Sequence, residues 1–304
     1  MALNLHRVDS FFSTRVDLLA TAIADADTWT DPKSLPAHQI SSIVSNSSLV
    51  DVSRSFCLNE KQHKAFVRVG RPFLQSLLST SPDNVPQCLF FLGGGPGTGK
   101  SQVIRALQVL AHSWASENAV KTVAYQGVAA EAANGQTIHK LFQWGVRKGV
   151  HNKRYAVADK ERFASFKLLI MDEVSTTDAK YIGMIDIALR DLKNEPDKRF
   201  GGVHMLFAGD WLQQLPVAGH PAFVREPPPP TSLRSAQIPQ NADDATTTYL
   251  LRQRGIQAYG EINDVVMLDV NMRHRNDPVW RDILSRWRLG DYQHNVGCQH
   301  APPE

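Results

Sequence analysis

Leu89-Phe90-Phe91-Leu92-Gly93-Gly94-Gly95-Pro96-Gly97-Thr98-Gly99-Lys100-Ser101 decides the fold. An apolar run leads into G-x-x-x-x-G-K-S, from Gly94 to Ser101, and a helical pattern follows. That order is what a phosphate-binding loop requires. Glycines let the backbone wrap around a phosphate, and the N–H groups opening the next helix point at the anion. Lys100 is placed for the β- and γ-phosphates and Ser101 for Mg²⁺. Val103, Ile104, Leu107, Leu110, Ala111 and Trp114 share one face of the expected helix. The ligand this loop calls for is therefore a nucleoside triphosphate with Mg²⁺, and ATP is expected. Its pocket is Gly94, Gly95, Pro96, Gly97, Thr98, Gly99, Lys100 and Ser101.

Outward from the loop, residues 58–210 alternate strand-like runs with helical patterns. Strands are expected at Cys88–Leu92, Thr122–Tyr125, Leu168–Met171 and His204–Ala208. The alternation predicts an α/β protein with a parallel sheet and helices on both faces. Lys167-Leu168-Leu169-Ile170-Met171-Asp172-Glu173 is an apolar strand ending in two carboxylates. Its expected place is beside the phosphate loop, with Asp172 on Mg²⁺ and Glu173 polarising the attacking water. A third run, His204-Met205-Leu206-Phe207-Ala208-Gly209-Asp210, leads into Trp211-Leu212-Gln213-Gln214-Leu215-Pro216. A glutamine there suits a γ-phosphate sensor. Either Gln213 or Gln214 fits, and the distance from Gly209 favours Gln213.

Between Lys140 and Lys167 lie eight Lys/Arg residues, Arg147 and Lys148 among them, against two acids. Phe142, Trp144 and Tyr155 are interleaved. Such a segment suits single-stranded DNA, through phosphate neutralisation and base stacking; a solvated loop with Phe142 and Trp144 in the core is the other reading. His139 likewise reads as support for a DNA loop or as a structural histidine.

The rest of the chain bounds the answer. The net charge is +3 and 42% of the 304 residues are apolar, ordinary for a globular chain. Three cysteines without C-x-x-C spacing suggest neither zinc nor a disulfide framework. No apolar segment is long enough to span a bilayer, so no membrane partner is expected. Residues 1–56 carry no motif, though Phe11 to Ala26 reads as an amphipathic helix. Residues 57–217 form the expected ATPase domain. Residues 218–248, with four consecutive prolines at 227–230, read as a linker or loop. A strand at Val265–Leu268 and a helix bearing Trp280, Ile283, Leu284 and Trp287 follow.

Taken together, these elements resemble the PIF (petite integration frequency) family of DNA helicases in superfamily 1. Leu58 to Phe66 looks like the family's Q motif, with Gln62 reading adenine. Gly127-Val128-Ala129-Ala130 and Gly135-Gln136-Thr137-Ile138-His139 resemble its single-strand-binding motif, which implies DNA contacts by Gly127, Thr137 and His139. Asp172-Glu173-Val174-Ser175 is similar to its D-E-I-S motif, and Phe200-Gly201-Gly202 through Gln213 to its third. Leu268, Asn271 and Arg273 look like the fourth, which implies that Arg273 touches the γ-phosphate. Tyr259-Gly260 and Leu284, Arg286 and Arg288 are closest to Helitron-encoded helicases.

The resemblance implies a RecA-like P-loop NTPase fold, with residues 249–304 beginning a second RecA-like domain. It implies an ATP-dependent 5′-to-3′ DNA helicase acting on single-stranded DNA in repair, recombination, telomere maintenance or transposition. It points to the nucleus, with the mitochondrion as the other compartment. The family's later motifs are not present, so a truncated chain that binds DNA and ATP without unwinding is the alternative. An AAA+ type remodelling ATPase is the second. Thr176 and Gln126 depart from the family pattern, which has methionine and threonine there.

Overall fold

The structure is a computed structural model that describes residues 17–24, 26, 45–78, 85–145, 154–224, 244–274 and 276–290. Six strands form one wholly parallel sheet: β1 (Leu89–Gly94), β2 (Val120–Ala124), β3 (Gln136–Thr137), β4 (Leu168–Asp172), β5 (His204–Gly209) and β6 (Asp264–Leu268). Their spatial order is β3-β2-β4-β5-β1-β6. All residues of β1, β4 and β5 are buried. A strand covered on both faces reads as a continuous apolar run, which is why these three are conspicuous in the sequence.

Alternate side chains feed two cores. Phe90, Leu92, Leu168, Ile170, Leu206 and Ala208 face one side. They meet α1 (helical over 17–24), α2 (Leu49–Ser55), α3 (Glu60–Leu78) and α4 (Lys100–Ser113). The predicted face of α4 is buried there, from Val103 to Trp114. Leu89, Phe91, Leu169, Met171, Met205 and Phe207 face the other side. Lying there are α7 (Val157–Phe163), α8 (Ala179–Lys193) and part of α9 (Asp244–Gly260). Two shorter helices, α5 (Gly127–Ala132) and α6 (Ile138–Leu141), flank β3, and α10 (Pro278–Arg288) ends the described chain.

Helices α8 and α9 cross at two glycines. A Cβ on Gly255 would press on the Ala179 carbonyl, 2.8 Å from its carbon, and one on Gly183 would lie 3.1 Å from the Gly255 nitrogen. Two ion pairs bind α9 further: Arg252 holds Asp178, the N-cap of α8, and Arg254 holds Asp186. Burial opposes ionisation of Asp186. The Phe200 N–H and Arg190, helped by Arg254, nevertheless keep its carboxyl below the usual range.

Strand β5 lies between β4 and β1, yet Asp172 and Glu173 at the end of β4 still act on Lys100 of the phosphate loop. Two expectations change. Strand β6 does not open a separate sheet; it pairs with β1 from Phe90↔Asp264 to Gly94↔Leu268. The expected boundary at 248/249 falls inside α9. Of the expected linker, residues 225–243 lie outside the described residues, as do most of 1–44.

Candidate nucleotide and nucleic-acid site

Because every strand runs the same way, their carboxyl ends line one edge of the sheet, where open α/β sheets bind ligands. β1 delivers Gly94–Ser101, β4 delivers Asp172 and Glu173, β5 delivers Asp210, and β6 delivers Asn271 and Arg273.

The phosphate loop depends on left-handed backbone at Gly97 (φ 77°) and Gly99 (φ 89°). A side chain at Gly97 would also meet Asn271, 2.9 Å from Oδ1, and Arg273, 2.8 Å from Cβ. The segment after β6 thus lies directly on the loop, and the Met272 N–H donates to Gly97 O at 2.9 Å. Arg273 is exposed, with its Cβ next to the loop at Gly97. Lys100 is buried and donates to Gly94 O at 2.7 Å. Burial lowers the pKa of its ammonium, while Glu173, Asp210 and Asp172 work in the opposite direction. Ser101 sits exposed in the first turn of α4.

Asp172 is buried. Desolvation, with the neighbouring Glu173 carboxylate, pushes its pKa up to about 6. Glu173 adopts φ 49°, ψ 45°, and Ser175 Oγ and Thr177 Oγ1, both buried, have no hydrogen-bond partner. Left-handed backbone at a non-glycine residue and orphaned hydroxyls store strain of the kind that collects at functional turns. A carboxylate at Asp172 and a hydroxyl at Ser101 are oxygen donors of the kind Mg²⁺ takes.

Gln62 is buried. Its Oε1 accepts from Asn59 N–H and its Nε2 donates to Thr98 O, both at 3.0 Å. The residue expected at adenine therefore also holds the phosphate loop from behind. Gln213 and Gln214 are both exposed. The Gln213 N–H donates to Asp210 O at 3.0 Å, whereas Gln214 lines a cavity of about 200 Å³ with Tyr125, Gln126, Lys180 and Tyr181.

Among the residues expected at DNA, Gly127 opens α5 with nothing within 4 Å of where a Cβ would stand, and Thr137 Oγ1 caps α6 by accepting from Lys140 N–H. His139 sits among the rings of Tyr125, Tyr181 and Trp144, at 5.2–6.2 Å between centroids. Burial, then Lys180, lowers its pKa. Of the two readings of the aromatics, the core one holds: Phe142, Trp144 and Tyr155 are buried, with the Trp144 Nε1–H donating to Tyr155 Oη. Arg147 and Lys148 lie outside the described residues.

The sequence marks Arg288 only as part of the Helitron-like helix and gives no sign of its pairing with Asp210. Arg288 Nε and Nη2 donate to the two Asp210 carboxylate oxygens at 3.0 and 2.6 Å. No local pattern connects residues so far apart.

Known proteins share part of this sequence and its fold. The family model for PIF1-like helicases matches residues 57–226. The chain is 29% identical over 208 residues to the ATP-dependent DNA helicase PIF1 of Saccharomyces cerevisiae, an alignment covering 66% of this chain and 21% of that protein. It is 27% identical over 226 residues to the ATP-dependent DNA helicase PIF1 of Rattus norvegicus, covering 69% and 33%. The matched part is thus about a fifth to a third of these relatives' lengths. The Pif1 helicase of Candida albicans has a similar fold, with a TM-score of 0.52 at 21% identity over 76% of this chain and 44% of that one. So has the Bacteroides Pif1 solved with ADP-AlF3 and single-stranded DNA, with a TM-score of 0.51 at 20% identity over 77% and 47%. With more than half of its residues matched by the family model, the chain belongs to the PIF1-like helicase family.

Proposed function

We propose that the chain is an ATPase that couples hydrolysis to movement along single-stranded DNA, as a 5′-to-3′ DNA helicase of its family. One observation carries the reading: a single sheet edge gathers the phosphate loop, the Asp172–Glu173 turn, Asp210 and Arg273.

In this reading Lys100 and the loop N–H groups bind the β- and γ-phosphates, and Gln62 contacts adenine with the Nε2 proton that Thr98 does not use. Ser101 and Asp172 would hold Mg²⁺, which would supply positive charge against the phosphates. Glu173 takes a proton from the attacking water as the bond from the γ-phosphorus to its bridging oxygen breaks, giving ADP and phosphate. Arg273 stabilises charge developing on the γ-phosphate, and Gln213 reports whether that phosphate is present. Gly127, Thr137 and His139 bind the DNA, and the basic charge of Arg147 and Lys148 adds to its affinity.

The test is ATP binding and hydrolysis, with and without single-stranded DNA, followed by strand displacement on duplexes with a 5′ or a 3′ tail. Glu173→Gln keeps nucleotide binding and slows turnover by about 10²–10⁴-fold, while Lys100→Ala loses binding. Equal affinity in wild type and Lys100→Ala refutes the site. Displacement of the 3′-tailed duplex alone refutes the polarity.

A further inference from the structure

Asp210 directly follows β5 at the centre of the sheet edge, its side chain only 2% exposed. A carboxylate so removed from water needs a cation, and Arg288 at the end of α10 supplies one in a two-pronged pair. The same guanidinium lies over the phosphate loop: a Cβ on Gly95 would be 3.5 Å from its Nε and 3.9 Å from its Cζ. Lys100, whose ammonium donates to Gly94 O and Gly95 O, feels Asp210 and Arg288 with opposite sign. Asp210 therefore stands within electrostatic reach of the phosphate cleft, together with Asp172 and Glu173. Uncancelled, its charge would oppose a phosphate chain, and most strongly the added charge of the third phosphate.

We propose that Arg288 is a positioning residue for the phosphate site: by pairing with Asp210 across Gly95, it cancels that carboxylate and lets the cleft accept a triphosphate in preference to a diphosphate. The inference rests on the nucleotide-binding reading above. It also makes the cleft depend on the seat of α10, a helix with Ile283 as its buried residue. Arg286 on the same helix pairs with Asp282 instead and serves as a control.

The experiment is a titration of the 304-residue chain with fluorescent ATP and ADP analogues in Mg²⁺, using wild type, Arg288→Gln, Asp210→Asn, the double variant and Arg286→Gln. Removing the cation from a buried pair beside a bound anion should weaken ATP by roughly tenfold and ADP by less than about threefold. The double variant, with neither charge, should return the ATP affinity to within about threefold of wild type. Asp210→Asn alone, leaving Arg288 free to face the phosphates, should raise the ATP-to-ADP affinity ratio. Arg286→Gln should leave that ratio unchanged. Equal losses for ATP and ADP, or no recovery in the double variant, overturn the proposal. If Arg288→Gln does not fold, an unchanged ratio in Asp210→Asn overturns it. A wild-type chain that binds no ATP refutes the nucleotide reading itself; wild-type binding with an unaltered Arg288→Gln refutes only the role of Arg288.

Discussion

Replacing Gly255 by alanine tests how tightly α9 is seated. The added carbon would lie 2.8 Å from the Ala179 carbonyl carbon, nearer still to its oxygen, and 3.0 Å from the Gly183 nitrogen. Ordinary carbon–carbon contact is about 3.5–4.0 Å, so α8 and α9 must part by roughly 1 Å. A gap of that size forfeits about a quarter to a half of the dispersion attraction across the seam. Leu251, Ala258, Ile182 and Ile185 are buried near that crossing, and Arg252 and Arg254 reach across it to Asp178 and Asp186. The expected loss is therefore about 3 kcal/mol, the upper end of overpacking costs. Urea unfolding followed by tryptophan fluorescence measures it, with Gly260→Ala as control, since nothing lies within 4 Å of a Cβ there. Because Gly183 faces the same seam, the Gly183→Ala/Gly255→Ala double variant should lose less than the sum of the single changes. A Gly255→Ala midpoint within about 0.5 kcal/mol of the Gly260→Ala control refutes the reasoning.

Two further outcomes follow from buried polar groups. Burial, with Lys167 beside it, lowers the His204 pKa from 6.5 to about 4, and the neutral ring accepts from Cys88 N–H at 3.0 Å. The unfolded chain takes up the proton first, so this contribution is whole above pH 6.5 and is lost as pH falls towards 4. Between pH 7 and pH 5 the loss from this group should be about 2 kcal/mol. An unchanged acid slope in His204→Gln, measured by urea midpoints at both pH values, would contradict the assignment. Gln62→Ala orphans the Asn59 N–H and the Thr98 carbonyl, which should cost about 2 kcal/mol without any nucleotide. An unaltered midpoint would remove Gln62 from the support of the loop.

Much of the sheet was legible because both its faces are covered. β1, β4 and β5 are unbroken apolar runs, and the glycines and lysine after β1 have few other uses. β3, at Gln136–Thr137, is too short to show an alternation. Helix α9 hides because its buried face is built on Gly255 and on arginines paired with acids, not on an apolar stripe. Spatial order is not written in strand composition, so nothing in Leu168–Asp172 tells that β5 separates it from β1. Phe142, Trp144 and Tyr155 show the same limit, since an aromatic residue among lysines suits a stacked base or a core equally. The site itself was legible where one segment carries it, from Gly94 to Ser101 or at Asp172–Glu173. It was not where two distant segments must meet, as for Asp210 with Arg288 or Gly97 with Asn271.

The place of β6 has a consequence for how this protein is made and cut. The segment matched by the family model ends at residue 226, before β6 begins at Asp264. A fragment stopped there would leave the outer side of β1, a fully buried apolar strand, with bare amide and carbonyl groups. Such an edge is a template for pairing with another chain. The ribosome meets the same difficulty, because β6 starts 175 residues after β1 (264 minus 89). At about 5–20 residues per second, β1 waits roughly 10–35 s for its last neighbour. Soluble pieces of this protein should therefore be cut beyond Leu268, and a nascent chain still short of that point is a natural client for a holding chaperone.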